Sequence, residues 1–172
     1  MAENEAPQFP NVTPPGGAAN GEDTAPQIGM IAQYVKDFSF ENPNAPAVYS
    51  WGEQPRIDVQ FNIGTQQVGE DVHESALKID VTAETDNGIA FKLELLYGGL
   101  FGMRNVAEDT VQPFLLGEAP RLLFPFARRV VADAVRDGGF PPLMLDPIDF
   151  NGLYFAQLAQ QGAAMGEPAG EA

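Results

Sequence analysis

Four stretches of the chain alternate apolar and polar residues with a period of two. Tyr34, Phe38 and Phe40 alternate with Val35, Asp37, Ser39 and Glu41. Ile57, Val59, Phe61 and Ile63 alternate with Arg56, Asp58, Gln60 and Asn62. Leu77, Ile79, Val81 and Ala83 alternate with Lys78, Asp80, Thr82 and Glu84, and Ile89, Phe91, Leu93, Leu95 and Tyr97 with Ala90, Lys92 and Glu94. In a strand, successive side chains point to opposite faces, so this pattern predicts an antiparallel sheet with one buried face. Asn87-Gly88 lies between the third and fourth stretches and predicts a type I′ hairpin, whose central residues both need positive φ. The connection from Asn42 to Pro55 carries three prolines and is too long for a tight hairpin, so it is expected to cross to another part of the sheet.

After Gly98-Gly99, read as a close backbone approach or a tight turn ending the fourth strand, the period changes. Residues 109–118 suit a short helix. Leu122, Leu123, Phe126, Val130, Ala134 and Val135 then form an apolar stripe on a second helix, ended by Gly138-Gly139. A last helix is expected to start at Asp149 as N-cap and to run through Phe150, Leu153, Tyr154 and Leu158. The fold class is α+β: a four-stranded antiparallel sheet with a long crossover loop and C-terminal helices. Residues 1–27 and 162–172 are rich in Pro, Ala, Gly and acids, and are expected to be disordered tails around one domain at 28–161.

Charge narrows the partners. Nine Lys plus Arg against 24 Asp plus Glu give a formal net charge of −15, and between Ile28 and Gln160 there are 18 acids and 9 bases. Such a domain repels phosphate backbones and anionic membranes, so nucleic acid and direct membrane insertion are not expected, whereas a basic partner suits it. The first 27 residues hold no Lys or Arg and no apolar run, so no signal peptide is expected and the cytoplasm is the default compartment.

Chemistry is hard to find. There is no cysteine and one histidine, His73, within Glu70-Asp71-Val72-His73-Glu74; this reads better as a polar strand entrance than as a metal or acid/base site. The serines are Ser39, Ser50 and Ser75, none in a nucleophile elbow. Gly98-Gly99-Leu100-Phe101-Gly102 is followed by Met103-Arg104, not by the Lys-Ser/Thr of a phosphate cradle. Asp37 and Glu41 share a strand face about 13 Å apart, wide for paired carboxylate catalysis and natural for an acidic stripe. No enzyme, cofactor or metal is expected. Tyr49 and Trp51, in the crossover loop, either pin that loop to the sheet or line a groove for apolar segments.

Several ordered segments resemble one family. Asp37-Phe38-Ser39-Phe40-Glu41-Asn42-Pro43-Asn44-Ala45-Pro46, Leu123-Phe124-Pro125-Phe126-Ala127-Arg128, Gly139-Phe140-Pro141 and the run Leu143, Leu145, Pro147, Asp149-Phe150 are similar to SecB, the cytosolic export chaperone, over about residues 30–161. The resemblance implies a homotetramer built as a dimer of dimers. It also implies ATP-independent holding of unfolded precursors and their delivery to the SecA translocation motor. By position, Asp37, Glu41 and Glu94 match contacts for the basic, zinc-carrying tail of SecA. Ile57, Val59, Phe61, Tyr154 and Leu158, with Tyr49 and Trp51, match the client groove, and Leu93, Leu95 and Tyr97 match positions associated with assembly. Two positions depart from the pattern: Trp51 lies two residues before the usual Trp position, held here by Glu53, and Lys92 replaces a commonly apolar residue. Two other readings stay open at this point, an enzyme using Asp37, Glu41 or the His73 cluster, and a member dedicated to one partner such as a toxin–antitoxin pair.

Overall fold

The computed structural model describes residues 24–165. Both expected tails fall largely outside the described residues, apart from positions 24–27 and 162–165. Four strands form one antiparallel sheet: β1 (Gln27–Glu41), β2 (Arg56–Gly69), β3 (Val72–Thr85) and β4 (Gly88–Arg104), in the order β1-β4-β3-β2. The segment 42–55, with a short helical turn at Ala47–Ser50, carries the chain from one edge of the sheet to the other, as its length requires. Leu77, Ile79, Val81 and Ala83 of β3 and Phe91, Leu93, Leu95 and Tyr97 of β4 are all buried. Each contributes about 1.5–3 kcal/mol relative to exposure if large.

The β3–β4 hairpin forms, but not as a type I′ turn. Its central residues are Asp86-Asn87, and Asn87 is not at positive φ; Gly88 carries the positive φ of 132° at the start of β4. The Thr85 hydroxyl accepts the Asn87 N–H at 3.1 Å and stabilises this alternative.

Gly98-Gly99 does not end β4, which continues to Arg104. The pair does allow close approach. A Cβ at Gly99 would lie 2.7 Å from Leu123 Cδ2, and one at Gly98 would lie 2.6 Å from the Tyr34 ring. One glycine admits the helix layer on one face, the other admits an aromatic ring on the opposite face.

The helix layer starts with α1 (Glu108–Pro113), widens into a π turn (Phe114–Glu118) and continues as α2 (Ala119–Asp137). The expected break between two helices is thus a π turn in one helical path. A π turn leaves backbone groups to be satisfied elsewhere. Buried Ser75 on β3 donates its hydroxyl to the Leu115 carbonyl at 2.7 Å, which ties the turn to the sheet. Helix α2 packs on β3 and β4 through Leu123, Phe124, Ala127, Val131 and Val135. The expected stripe is therefore rotated: Phe126 points outward at 43% exposed.

Asp149 caps α3 (Phe150–Met165), accepting the Gly152 N–H at 2.9 Å, and the helix runs four residues past the expected boundary at 161. Phe150 inserts into the core, while Leu153 and Phe155 stay exposed.

Candidate functional site

The sheet has two unlike faces. One is covered by α2; the other is open. On the open face Ser39 pairs across from Glu94, so Glu94 lies beside the midpoint between Asp37 and Glu41. The three carboxylates therefore form one exposed triangle, with Glu94 one strand spacing, about 4.8 Å, from the line joining the others. Asp37 Oδ1 also accepts the Phe38 N–H at 3.0 Å, which steadies its side chain on the edge strand. Asp80 of β3 pairs with Glu94 and with Gln60 of β2, and continues the acidic row across the sheet. Lys92 lies directly across from Glu41.

A residue that sequence reasoning missed organises one end of this face. Glu74, read as part of a polar strand entrance, is buried at 6% exposed. It accepts hydrogen bonds from Lys36 Nζ at 2.6 Å, from Gln66 Nε2 at 3.1 Å and from the Tyr34 hydroxyl. A bulge between Val35 and Asp37 makes this possible: Lys36 is the extra residue, so Tyr34 lies on the open face while Phe38 lies on the helix side. The expected phase, with Tyr34 and Phe38 on one face, is corrected by that insertion. Burial alone would raise the Glu74 carboxyl, but the Lys36, Tyr34 and Gln66 bonds outweigh it and hold it below the usual carboxylate range. Burial and the Glu74 charge push the Tyr34 hydroxyl far up.

A carboxylate depressed in the folded state stabilises above its unfolded pKa of about 4.3, and that contribution fades as pH falls through the folded value. Glu74→Gln is therefore expected to be about 1–3 kcal/mol less stable than wild type at pH 7, with the gap closing below about pH 4. Urea melts of both chains at a series of pH values measure this.

On the helix side the groove residues fall into two places. Phe61 packs edge-on against Phe150 at 6.4 Å and tilted against Phe124 at 6.3 Å, with Val59 also packed against the core and Ile57 41% exposed. Leu158 is 44% exposed on α3, where the Tyr154 ring lies tilted against Phe155 at 5.5 Å. Tyr49 instead borders a recess of about 410 Å³ with Phe38, Phe40, Asn42, Ala134 and Gly138, on the β1 side of α2. Its hydroxyl donates to the Gly138 carbonyl at 2.7 Å and accepts from Asn42 Nδ2 at 2.8 Å, so Tyr49 both pins the loop and exposes its ring. Trp51 is half-buried beside Gly88.

Leu93, Leu95 and Tyr97 are already inside the protomer's own core, at 1%, 1% and 7% exposed. On the helix side of β1, Phe40 packs against Phe91 and the end of α2, and the rest of that strip is less covered. Ile28, Met30, Val35 and Phe38 are 38–48% exposed there. His73 is half-buried on β3, paired with Gln67 and Phe101, and no described acid clusters with it as a metal site. No helix among the described residues is long and apolar enough to cross a membrane.

The arrangement has counterparts. The SecB-like chaperone of Mycobacterium tuberculosis, solved with a ChAD peptide from the HigA1 antitoxin, has the same fold at a TM-score of 0.59 and 14% identity. The match covers 70% of this chain and 90% of that one. Protein-export protein SecB of Sphingopyxis alaskensis is 61% identical over 165 residues, covering 94% of this chain and 96% of the relative. The protein of the same name from Rhizorhabdus wittichii is 64% identical over 154 residues, 89% of this chain and 93% of the relative. The family model SecB, "Preprotein translocase subunit SecB", matches residues 21–161. With that match spanning the sheet, the crossover loop and the helix layer, the chain belongs to the SecB family.

Proposed function

We propose that this protein is an ATP-independent export chaperone of the cytoplasm, which holds unfolded precursors on its apolar surfaces and delivers them to SecA. The observation that carries this is the division of labour between the two sheet faces. The helix side leaves large apolar groups uncovered, among them Tyr49, Ile57, Phe126, Phe155 and Leu158, more than a chain acting alone would need to expose. The other side presents the Asp37, Glu41 and Glu94 triangle to a basic partner, the zinc-carrying tail of SecA. Close relatives named for protein export favour general export over service to a single antitoxin.

Many weak apolar contacts hold a client without sequence specificity, because each buried side chain adds its own small increment. The reading includes a homotetramer arranged as a dimer of dimers, and the less covered β1 side with Ile28, Met30, Val35 and Phe38 supports burial against a second copy.

The test is light scattering of citrate synthase diluted from denaturant, with no nucleotide present, on protein sized by multi-angle scattering. Suppressed aggregation by a particle of four times 18.5 kDa is the expected result. A monomer that leaves aggregation unchanged would overturn the reading.

A further inference from the structure

All three lysines of the chain, Lys36, Lys78 and Lys92, lie on the open sheet face that also carries the acidic triangle. Two of them border one depression of about 290 Å³. Its floor is low because two small residues meet there: Gly64 of β2 pairs with Ala76 of β3. Around that floor stand Lys36, Lys78, Asn62 and Gln66, with Leu96 as an apolar wall and Glu74 as the one carboxylate.

The donor and acceptor balance of this depression is uneven. Glu74 is taken up by Tyr34, Lys36 and Gln66. Each ammonium has three N–H donors. Lys36 makes its short bond to Glu74, and Lys78 is paired at 3.4 Å with Asp80, which stands outside the depression. N–H donors therefore remain, including those of Asn62, while three of the carboxylate's roughly four acceptor sites are already taken. The bulge in β1 adds to this, turning Lys36 onto the open face next to Asp37.

We propose that this depression receives a carboxylate carried by the same basic segment that docks on Asp37, Glu41 and Glu94, and so fixes the register of that segment on the sheet. The proposal rests on the docking reading given above. A free anion would meet the strongly negative field of the whole chain, so the carboxylate has to arrive on a cationic carrier. The spacing suits a peptide. Asp37, Leu96 and Lys78 lie on one cross-strand row, which puts Lys78 two strand spacings, about 10 Å, from Asp37. An extended segment covers that span in about three residues, so a basic and an acidic side chain from one short stretch reach both places.

The experiment uses the sign of the effect. Removing a positive charge from a face that attracts a cation tightens binding when long-range attraction is the whole interaction. Titrations of the full chain with SecA from the same organism compare wild type, Lys78→Met, Lys78→Arg and the double variant Asp37→Asn with Glu94→Gln. Lys78 is 47% exposed, so its replacement leaves the core intact, and thermal melts verify this. The expected result is a loss of about fivefold or more in affinity for Lys78→Met, with Lys78→Arg within about twofold of wild type. If Lys78→Met binds as tightly as wild type or tighter while the double variant is weakened, the carboxylate site is wrong and the acidic docking surface stands. If the double variant also binds normally, the docking reading itself falls and takes the carboxylate site with it.

Discussion

Replacing Asp37, Glu41 and Glu94 together by Asn, Gln and Gln is expected to lower affinity for SecA by about thirtyfold or more while leaving client holding intact. The triangle is exposed, so each charge alone is worth about 0.2–1 kcal/mol, and three acting on one basic segment give about 2 kcal/mol. The loss is specific to ionic conditions. Wild-type binding should weaken steeply as salt rises and the Debye length shrinks from about 10 Å at 0.1 M, whereas the variant should show a nearly flat salt dependence. None of the three side chains is packed in the core, so thermal stability should not fall. Titration of SecA at several salt concentrations measures both effects. Equal affinity and equal salt slope for the two chains would rule out the triangle as the docking surface.

The second large effect concerns clients. Tyr49→Ser, Ile57→Ser and Leu158→Ser in one chain are expected to weaken holding of an unfolded protein by roughly two orders of magnitude. The three residues are 53%, 41% and 44% exposed, so each has about half its surface left for a client. Half burial contributes about 1 kcal/mol per residue, or about 3 kcal/mol when one client chain spans all three. Phe61 is the wrong choice for this test. It packs against Phe124 and Phe150, and its loss would loosen the protomer as well as the groove. Dissociation of a labelled, permanently unfolded client, followed by fluorescence, checks the effect. Unchanged retention by a folded variant would place client binding elsewhere, with Phe126 and Phe155 the next surfaces to change.

Much of the fold was legible because most strands keep one phase. The alternation through Ile57–Ile63, Leu77–Ala83 and Phe91–Tyr97 matches the buried face, and the long proline-bearing connection after Glu41 makes the edge-to-edge crossing it suggested. Asp149 behaves as the N-cap that its position before an apolar run implies. What periodicity misreads are insertions. One extra residue at Lys36 reverses the face of Ala32–Val35, a second irregularity between Met30 and Ala32 restores it, and nothing in the local pattern of β1 marks either bulge. Glu74 looked exposed because a carboxylate is costly to bury; its three donors come from Tyr34, Lys36 and Gln66, two of them about forty positions away. Gly98-Gly99 resembled a turn because glycine usually punctuates, whereas here its missing Cβ makes room for Tyr34 and Leu123.

The acidic triangle could be found from sequence because strand spacing alone aligns Asp37 with Glu41. Its third member, Glu94, follows from the family resemblance and not from spacing, since the register of β1 on β4 decides that Glu94 faces Ser39. Spacing says as little about Ser75. It resembled an idle hydroxyl in a search for nucleophiles, and its role is to satisfy the carbonyl that the π turn frees at Leu115.

The order β1-β4-β3-β2 also bears on how the chain is made. Of the four described strands, the first to leave the ribosome has no partner among the others until the last one appears, because β1 pairs with β4 alone of the three. Arg104, which closes that pairing, follows Glu41 by 63 residues. At about 5–20 residues per second, β1 waits roughly 3–13 s with its apolar side chains unpaired. A protein that keeps others from aggregating thus begins its own life as an unprotected nascent strand, and the meander β2-β3-β4 is the first part able to fold.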